Sequence, residues 1–177
     1  MTTPRKSQPA VDLGRQADQL LSELHRVHAL ALVRFATLMV GDKPSAEDVV
    51  QDAFIGLYRA LPRLRDSAKA LPYLQTAVVN GCRSALRARR RAFLRTIPYE
   101  PPVWSAESAV MVGEDRREVL TAVARLPRRA REVLALRYFL DLTDEQIGAA
   151  LGISRGTVSS TASRALAALA RELKENQ

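Results

Sequence analysis

Residues 143–166 read TDEQIGAALGISRGTVSSTASRAL, and the fold turns on them. Thr143 and Gln146 stand three apart ahead of an apolar run. That is the spacing of a capping box, in which each side chain accepts the other residue's backbone N–H. Ile147, Ala150 and Leu151 form the inner face of the short helix that follows, and Gly152 closes it. Ser154 then caps a last helix whose inner face is Val158, Ala162, Ala165, Leu169 and Leu173. Arg155, Ser159, Ser160, Ser163 and Arg164 point the other way. Two helices joined by a tight glycine-containing turn, the second with a polar outer face, describe a helix-turn-helix. Its second helix is expected in a major groove, early residues toward base edges, with Arg and Ser side chains reaching phosphates.

Working back from this motif, Ala130, Val133, Leu134 and Leu136 give RRAREVLALRYFL a helical stripe, with Pro127 suited to its first turn. Val119, Leu120, Val123 and Leu126 make another helix before it. Residues 96–111 break the pattern. TIPYEPPVWSAESAVM holds three prolines, two glutamates and no basic residue, the composition of a partly extended linker. Trp104 within it either docks the linker on a neighbouring domain or fills a partner's pocket.

Before the linker, residues 67–99 contain Lys69, Arg83, Arg87, Arg89, Arg90, Arg91 and Arg95 and no acidic residue, although the whole chain nets only +8. Clustered like charge repels itself, and a polyanion such as nucleic acid would relieve it; a solvated basic face is the other reading. Leu74, Val78, Cys82, Ala85 or Leu86, and Phe93 trace the buried stripe of this helix. Asn80, Arg83, Arg87 and Arg91 share a different face, so packing and phosphate binding need not compete.

The first helix is expected from about Leu13 to Val40 on the stripe Leu20, Leu24, Val27, Ala31, Phe35 and Leu38, with Gly41 ending it. The second starts at PSAED, with Ser45 as N-cap answered by Asp48, and buries Val50, Phe54, Leu57 and Leu61. Asp48, Gln51, Asp52 and Ile55 fall on another face. Helix-dipole complementarity accounts for Glu47 and Asp48 but not for Asp52 or an exposed Ile55, so a protein-binding face is indicated. Pro62 ends this helix, and Arg63 to Pro72 reads as a short helical piece and a loop.

Helix formers dominate the composition, with 47% hydrophobic and 5% aromatic residues, so the expected class is all-α. Two small helical domains are expected at residues 13–95 and 113–177, joined by a flexible linker at 96–112 and preceded by a flexible terminus at 1–12. One cysteine excludes an internal disulfide and a cysteine-rich zinc site; buried packing suits Cys82 better than reactivity. His25 and His28 lie one turn apart without further ligands, so no metal or other cofactor is expected. No run approaches a membrane span and the first residues do not resemble a signal peptide, so a soluble, cytoplasmic protein without membrane insertion is expected.

Taken together, the chain resembles bacterial RNA polymerase sigma factors of the extracytoplasmic-function (ECF) group of the sigma-70 family. GDKPSAEDVVQDAFIGLYRALPRLR resembles the family's core-polymerase-binding region, and YLQTAVVNGCRSALRARRR its region for melting and reading the minus-ten element. LPRRAREVLALRYFLDLTDEQIGAALGISRGTVSSTASRAL is similar to the region that reads the minus-thirty-five element. The resemblance implies that Asp48, Gln51, Asp52 and Ile55 meet the clamp helices of the polymerase. Likewise it implies that Arg65, Ser67, Lys69 and Asn80 hold a flipped base of the minus-ten element while Arg83, Arg87, Arg90 and Arg91 take phosphates. The upstream element would fall to Arg137, Thr143, Arg155, Thr157, Ser159, Ser160, Ser163 and Arg164. Pro72-Tyr73 stands where many relatives carry Trp, and Ser159-Ser160-Thr161 where basic residues are common.

The implied partners are core RNA polymerase and promoter DNA, with an anti-sigma factor possible in such a family and no small-molecule substrate. A two-domain helix-turn-helix regulator would explain residues 143–173 but leave the Asp48 to Ile55 face and the arginine helix idle. A nucleic-acid-processing enzyme needs metal-binding carboxylates or a nucleophile and base, and Asp48 and Asp52 lack both supports, so no catalytic residue is expected.

Overall fold

The computed structural model describes residues 9–64, 66–93 and 114–175, and every regular element within them is helical. Three long helices form the N-terminal unit: α1 (Pro9–Val40), α2 (Lys43–Ala60) and α3 (Ala70–Phe93). Two single 3-10 turns, Leu61–Arg63 and Ser67–Lys69, link α2 to α3. The C-terminal unit has four: α4 (Glu114–Arg125), α5 (Arg128–Phe139), α6 (Asp144–Leu151) and α7 (Arg155–Glu175). The expected linker, with Trp104 and the prolines before it, lies outside the described residues, as does Arg65.

The N-terminal core gathers Leu32, Phe35 and Leu38 of α1, Val50 and Leu57 of α2, and Leu74, Val78 and Cys82 of α3. Helix α1 buries Leu24, Phe35 and Leu38 of the expected stripe but not Val27. Val27 is 50% exposed, and Leu32, Ala36 and Met39 are buried as well. At its end Gly41 takes φ 94° and donates its N–H to the Thr37 carbonyl at 2.9 Å.

Helix α2 begins earlier than its proline and serine predict. Asp42, not Ser45, is the N-cap: its carboxylate accepts the Ser45 N–H at 2.9 Å, with Pro44 in the first turn. Arg89 explains the choice, because its guanidinium reaches both the Asp42 carboxylate at 3.3 Å and the Val40 carbonyl at 3.2 Å. One arginine of the basic helix thus ties the α1–α2 corner to α3. Pro72 likewise belongs to the first turn of α3 rather than to the preceding loop.

In the C-terminal unit the capping box is present in both halves: the Thr143 hydroxyl accepts the Gln146 N–H at 3.3 Å, and the Gln146 side chain accepts the Thr143 N–H at 2.8 Å. Gly152 closes α6 with φ 68°, and the Ser154 hydroxyl accepts the Thr157 N–H at 3.2 Å. The turn folds back so closely that a Cβ on Gly148 would lie 2.7 Å from the Ile153 carbonyl oxygen. Pro127 is the N-cap of α5, one place before its expected first turn.

Helix α5 is buried over five consecutive residues, Glu132 to Leu136, which an amphipathic helix does not do. The reason is that it is covered twice, by α7 within its own unit and by α1 of the N-terminal unit. Helix α6 likewise touches α3. The two units are therefore in contact along α1–α5 and α3–α6.

Candidate polymerase and nucleic-acid interfaces

On α2 the turns of the helix place Asp48, Gln51, Asp52 and Ile55 on one outer face, with Ala46, Val49, Val50, Ala53 and Leu57 buried behind it. The three polar residues are exposed, and Ile55 is 40% exposed. Beside Ile55 runs a mainly apolar groove of about 630 Å³ between α1 and α2, lined by Leu21, His25, Phe54 and Tyr58 among others. The His25 and Phe54 rings lie 5.2 Å apart at 55°. Sequence reading found Ile55 alone, since a helical period cannot show which residues of α1 flank a face of α2. Among the described residues no three His, Cys, Asp or Glu side chains converge as a metal site, and His25 is a wall of this groove.

On α3 the expected minus-ten residues divide. Asn80, Arg87, Arg90 and Arg91 are exposed, with Arg87 donating to the Ser84 hydroxyl at 2.9 Å, and Ser67 and Lys69 are exposed on the turn before the helix. Asp66 shapes that turn by accepting the Ala68 N–H at 2.9 Å. Arg83 is different. Its side chain is 15% exposed and grips Glu132 of α5 in a fork, Nε to Oε1 at 2.9 Å and Nη2 to Oε2 at 3.0 Å. That bond raises the Arg83 guanidinium above its ordinary value against the opposing pull of burial. The Arg83 guanidinium is therefore already held by a carboxylate, although this face was expected to stand apart from packing.

Glu132, 1% exposed, has two further partners: Arg129 at 3.2 Å and Arg128 at 3.8 Å. Arg131 points from the same helix at the Leu38 carbonyl, 3.5 Å away at the outer limit of a hydrogen bond. None of these α5 residues was singled out from sequence.

Helix α7 presents Arg155, Thr157, Ser159, Ser160, Ser163 and Arg164 to solvent, above buried Val158, Ala162 and Ala165. Arg155 pairs with Glu145 across the turn at 3.1 Å. Local bonds hold several others: Thr157 Oγ1 to the Ser154 hydroxyl at 2.9 Å, Ser160 to the Thr157 carbonyl at 3.2 Å, and Arg164 to the Ser160 carbonyl at 3.2 Å. Arg137 is bonded to Asp144 at the start of α6, and Thr143 spends its hydroxyl on the capping box. Both order the motif whatever else they touch.

Comparison with known proteins bears on the two helical units. Residues 24–92 match the profile of Sigma-70 region 2 and residues 116–169 that of Sigma-70, region 4. The RNA polymerase sigma-E factor of Streptomyces avermitilis is 33% identical over 153 residues, covering 86% of this chain and 84% of that protein. The ECF RNA polymerase sigma factor SigL of Mycobacterium tuberculosis is 31% identical over 162 residues, 88% of this chain and 90% of that one. The fold is shared with CnrH in complex with the cytosolic domain of CnrY, at a TM-score of 0.69 and 24% identity over 93% of this chain and 97% of that one. It is shared too with the sigma factor RpoE in complex with the anti-sigma factor NepR from Bartonella quintana, at 0.67 and 23% over 88% and 99%.

Proposed function

The chain belongs to the ECF group of the sigma-70 family, which are not enzymes but subunits that direct RNA polymerase to promoters, and on that premise we propose how its surfaces share the work. Core polymerase docks on Asp48, Gln51, Asp52 and Ile55. The observation that carries this is an apolar Ile55 left 40% exposed among carboxylates, on a helix whose other face is buried. An apolar anchor ringed by charge suits a protein partner, which can desolvate the anchor and be steered by the rim.

Downstream, Asn80 and the turn at Ser67 and Lys69 take an unstacked base of the minus-ten element. Arg83, Arg87, Arg90 and Arg91 hold its backbone, and Arg65, outside the described residues, is assigned with them from sequence. Upstream, the face of α7 from Arg155 to Arg164 enters the major groove, with Thr143 and Arg137 at its edge. Binding energy spent at these surfaces favours the opened promoter, and no chemistry is required of the protein. Its workplace is the cytoplasm, with polymerase and chromosome; no described helix is long and apolar enough to cross a membrane. A regulatory anti-sigma factor is a further proposed partner, supported by the fold shared with RpoE, which is found in complex with the anti-sigma factor NepR.

Transcription in vitro with core polymerase on a library of genomic fragments tests the reading and yields the promoter consensus. Ile55→Asp is expected to weaken polymerase binding at least tenfold with an unchanged unfolding midpoint. A variant that still binds polymerase like wild type would remove the docking face from α2.

A further inference from the structure

The fork between Arg83 and Glu132 joins a residue assigned to promoter phosphate to a buried carboxylate of the other domain. A guanidinium presents the same planar pair of N–H donors to carboxylate and phosphate. Glu132 fills that pair as a phosphate would, with its two oxygens at 2.9 and 3.0 Å. The contact is also releasable. Arg129 at 3.2 Å and Arg128 at 3.8 Å stay with Glu132 on its own helix, so departure of Arg83 does not strand an unpaired buried carboxylate. Three guanidinium groups around one carboxylate leave an excess of positive charge, and Arg83 is the one carried by the other domain.

We propose that Glu132 is an internal competitor for the promoter backbone, holding Arg83 and the two domains together in the free chain and yielding Arg83 when DNA engages α3. The rest of the interface points the same way. Helix α6, first of the helix-turn-helix pair, lies against α3, the helix assigned to the downstream element. Elements named for positions about 25 base pairs apart are separated by about 85 Å of duplex at ~3.4 Å per base pair. With α6 held against α3 and α7 packed on α6, the reading helices α3 and α7 cannot stand that far apart, so this form is the one that does not read a whole promoter. The proposal rests on the assignment of Arg83 to phosphate made above.

The test uses the full chain, with the radius of gyration from small-angle scattering and the affinity for a single-stranded DNA oligonucleotide by fluorescence anisotropy. Glu132→Gln is expected to enlarge the radius by several ångströms and tighten oligonucleotide binding severalfold. Arg83→Gln is expected to enlarge the radius equally but weaken binding. Unchanged radius and affinity in Glu132→Gln would overturn the latch. An unchanged radius with weakened binding in Arg83→Gln would also overturn it, while leaving the DNA assignment standing. Expansion in both variants with wild-type affinity in both would instead overturn the assignment of Arg83 to phosphate, and the competition with it. Should Glu132→Gln fail to fold, Arg83→Gln decides alone, because expansion with weaker binding supports the latch and any other result overturns it.

Discussion

Asn80 and Cys82 sit two residues apart on α3 and meet opposite environments, solvent for the amide and the core for the thiol. Asn80→Ala removes no packing, so its stability is expected within about 0.5 kcal/mol of wild type. Loss of a base-capturing amide should instead appear after polymerase has bound. The expected outcome is reduced promoter opening, read by permanganate reactivity, with closed-complex affinity nearly retained; equal loss of both would refute base capture. Burial pushes the Cys82 thiol up to about 12, with the Glu132 charge adding to the effect. The thiolate is the reactive form, so the folded chain is expected to resist iodoacetamide at pH 8 and to react once denatured. The exposure of Asn80 and the burial of Cys82 were legible because a single helical period separates inside from outside; the part proposed for Asn80 came from the family resemblance. Glu132 was not. In RRAREVLAL a glutamate among arginines reads as part of a solvated polar face, and its key partner lies 49 residues upstream, beyond the linker.

At the level of elements, local bonding carries much of the design. Losing the Thr143 hydroxyl in Thr143→Ala leaves the Gln146 N–H unpaired, an expected loss of about 1 kcal/mol by denaturant titration. Gly148→Ala should cost roughly 1–3 kcal/mol, since its methyl would meet the Ile153 carbonyl of the backbone rather than a side chain able to turn away. The other cap is sensitive to pH. Burial alone would raise the Asp42 carboxyl, but the bonds from Ser45 and the nearby Arg89 outweigh it and hold it below its ordinary value. A depressed carboxyl stabilises the fold fully above the unfolded value near ~4 and loses that effect as pH falls through the lower native value. Asp42→Asn should therefore be less stable than wild type at pH 7, with the difference shrinking in acid, as paired titrations at several pH values would show. The Thr143 cap could be read directly because donor and acceptor lie three residues apart. Asp42 escaped notice because Ser45 and Pro44 make an equally good local pattern, and the arginine that favours Asp42 comes from another helix.

At the scale of the whole molecule, α5 determines how the chain unfolds. Its residues Glu132 to Leu136 are buried in succession because α7 covers one side and α1 the other. Separating the domains would leave part of that surface to water, and apolar area returned to water costs about 25 cal/mol per Å². The stability of each unit is consequently coupled to its contact with the other, and the wild-type chain is expected to unfold in one calorimetric transition. Glu132 is the point at which the coupling can be broken. Glu132→Ala deletes the acceptor and leaves Arg83, Arg128 and Arg129 facing one another without a counter-charge. Removing one partner of a buried pair typically costs on the order of 3–5 kcal/mol. That loss falls on the C-terminal unit and on the domain contact, whereas α1, α2 and α3 are also packed on one another. The thermogram should then split, with an early transition for the C-terminal unit and a later one near the wild-type temperature. Arg83→Ala should split it less, because Glu132 keeps Arg128 and Arg129. One shifted but undivided transition in both variants would mean that the α1–α5 packing couples the units without help from the buried pair.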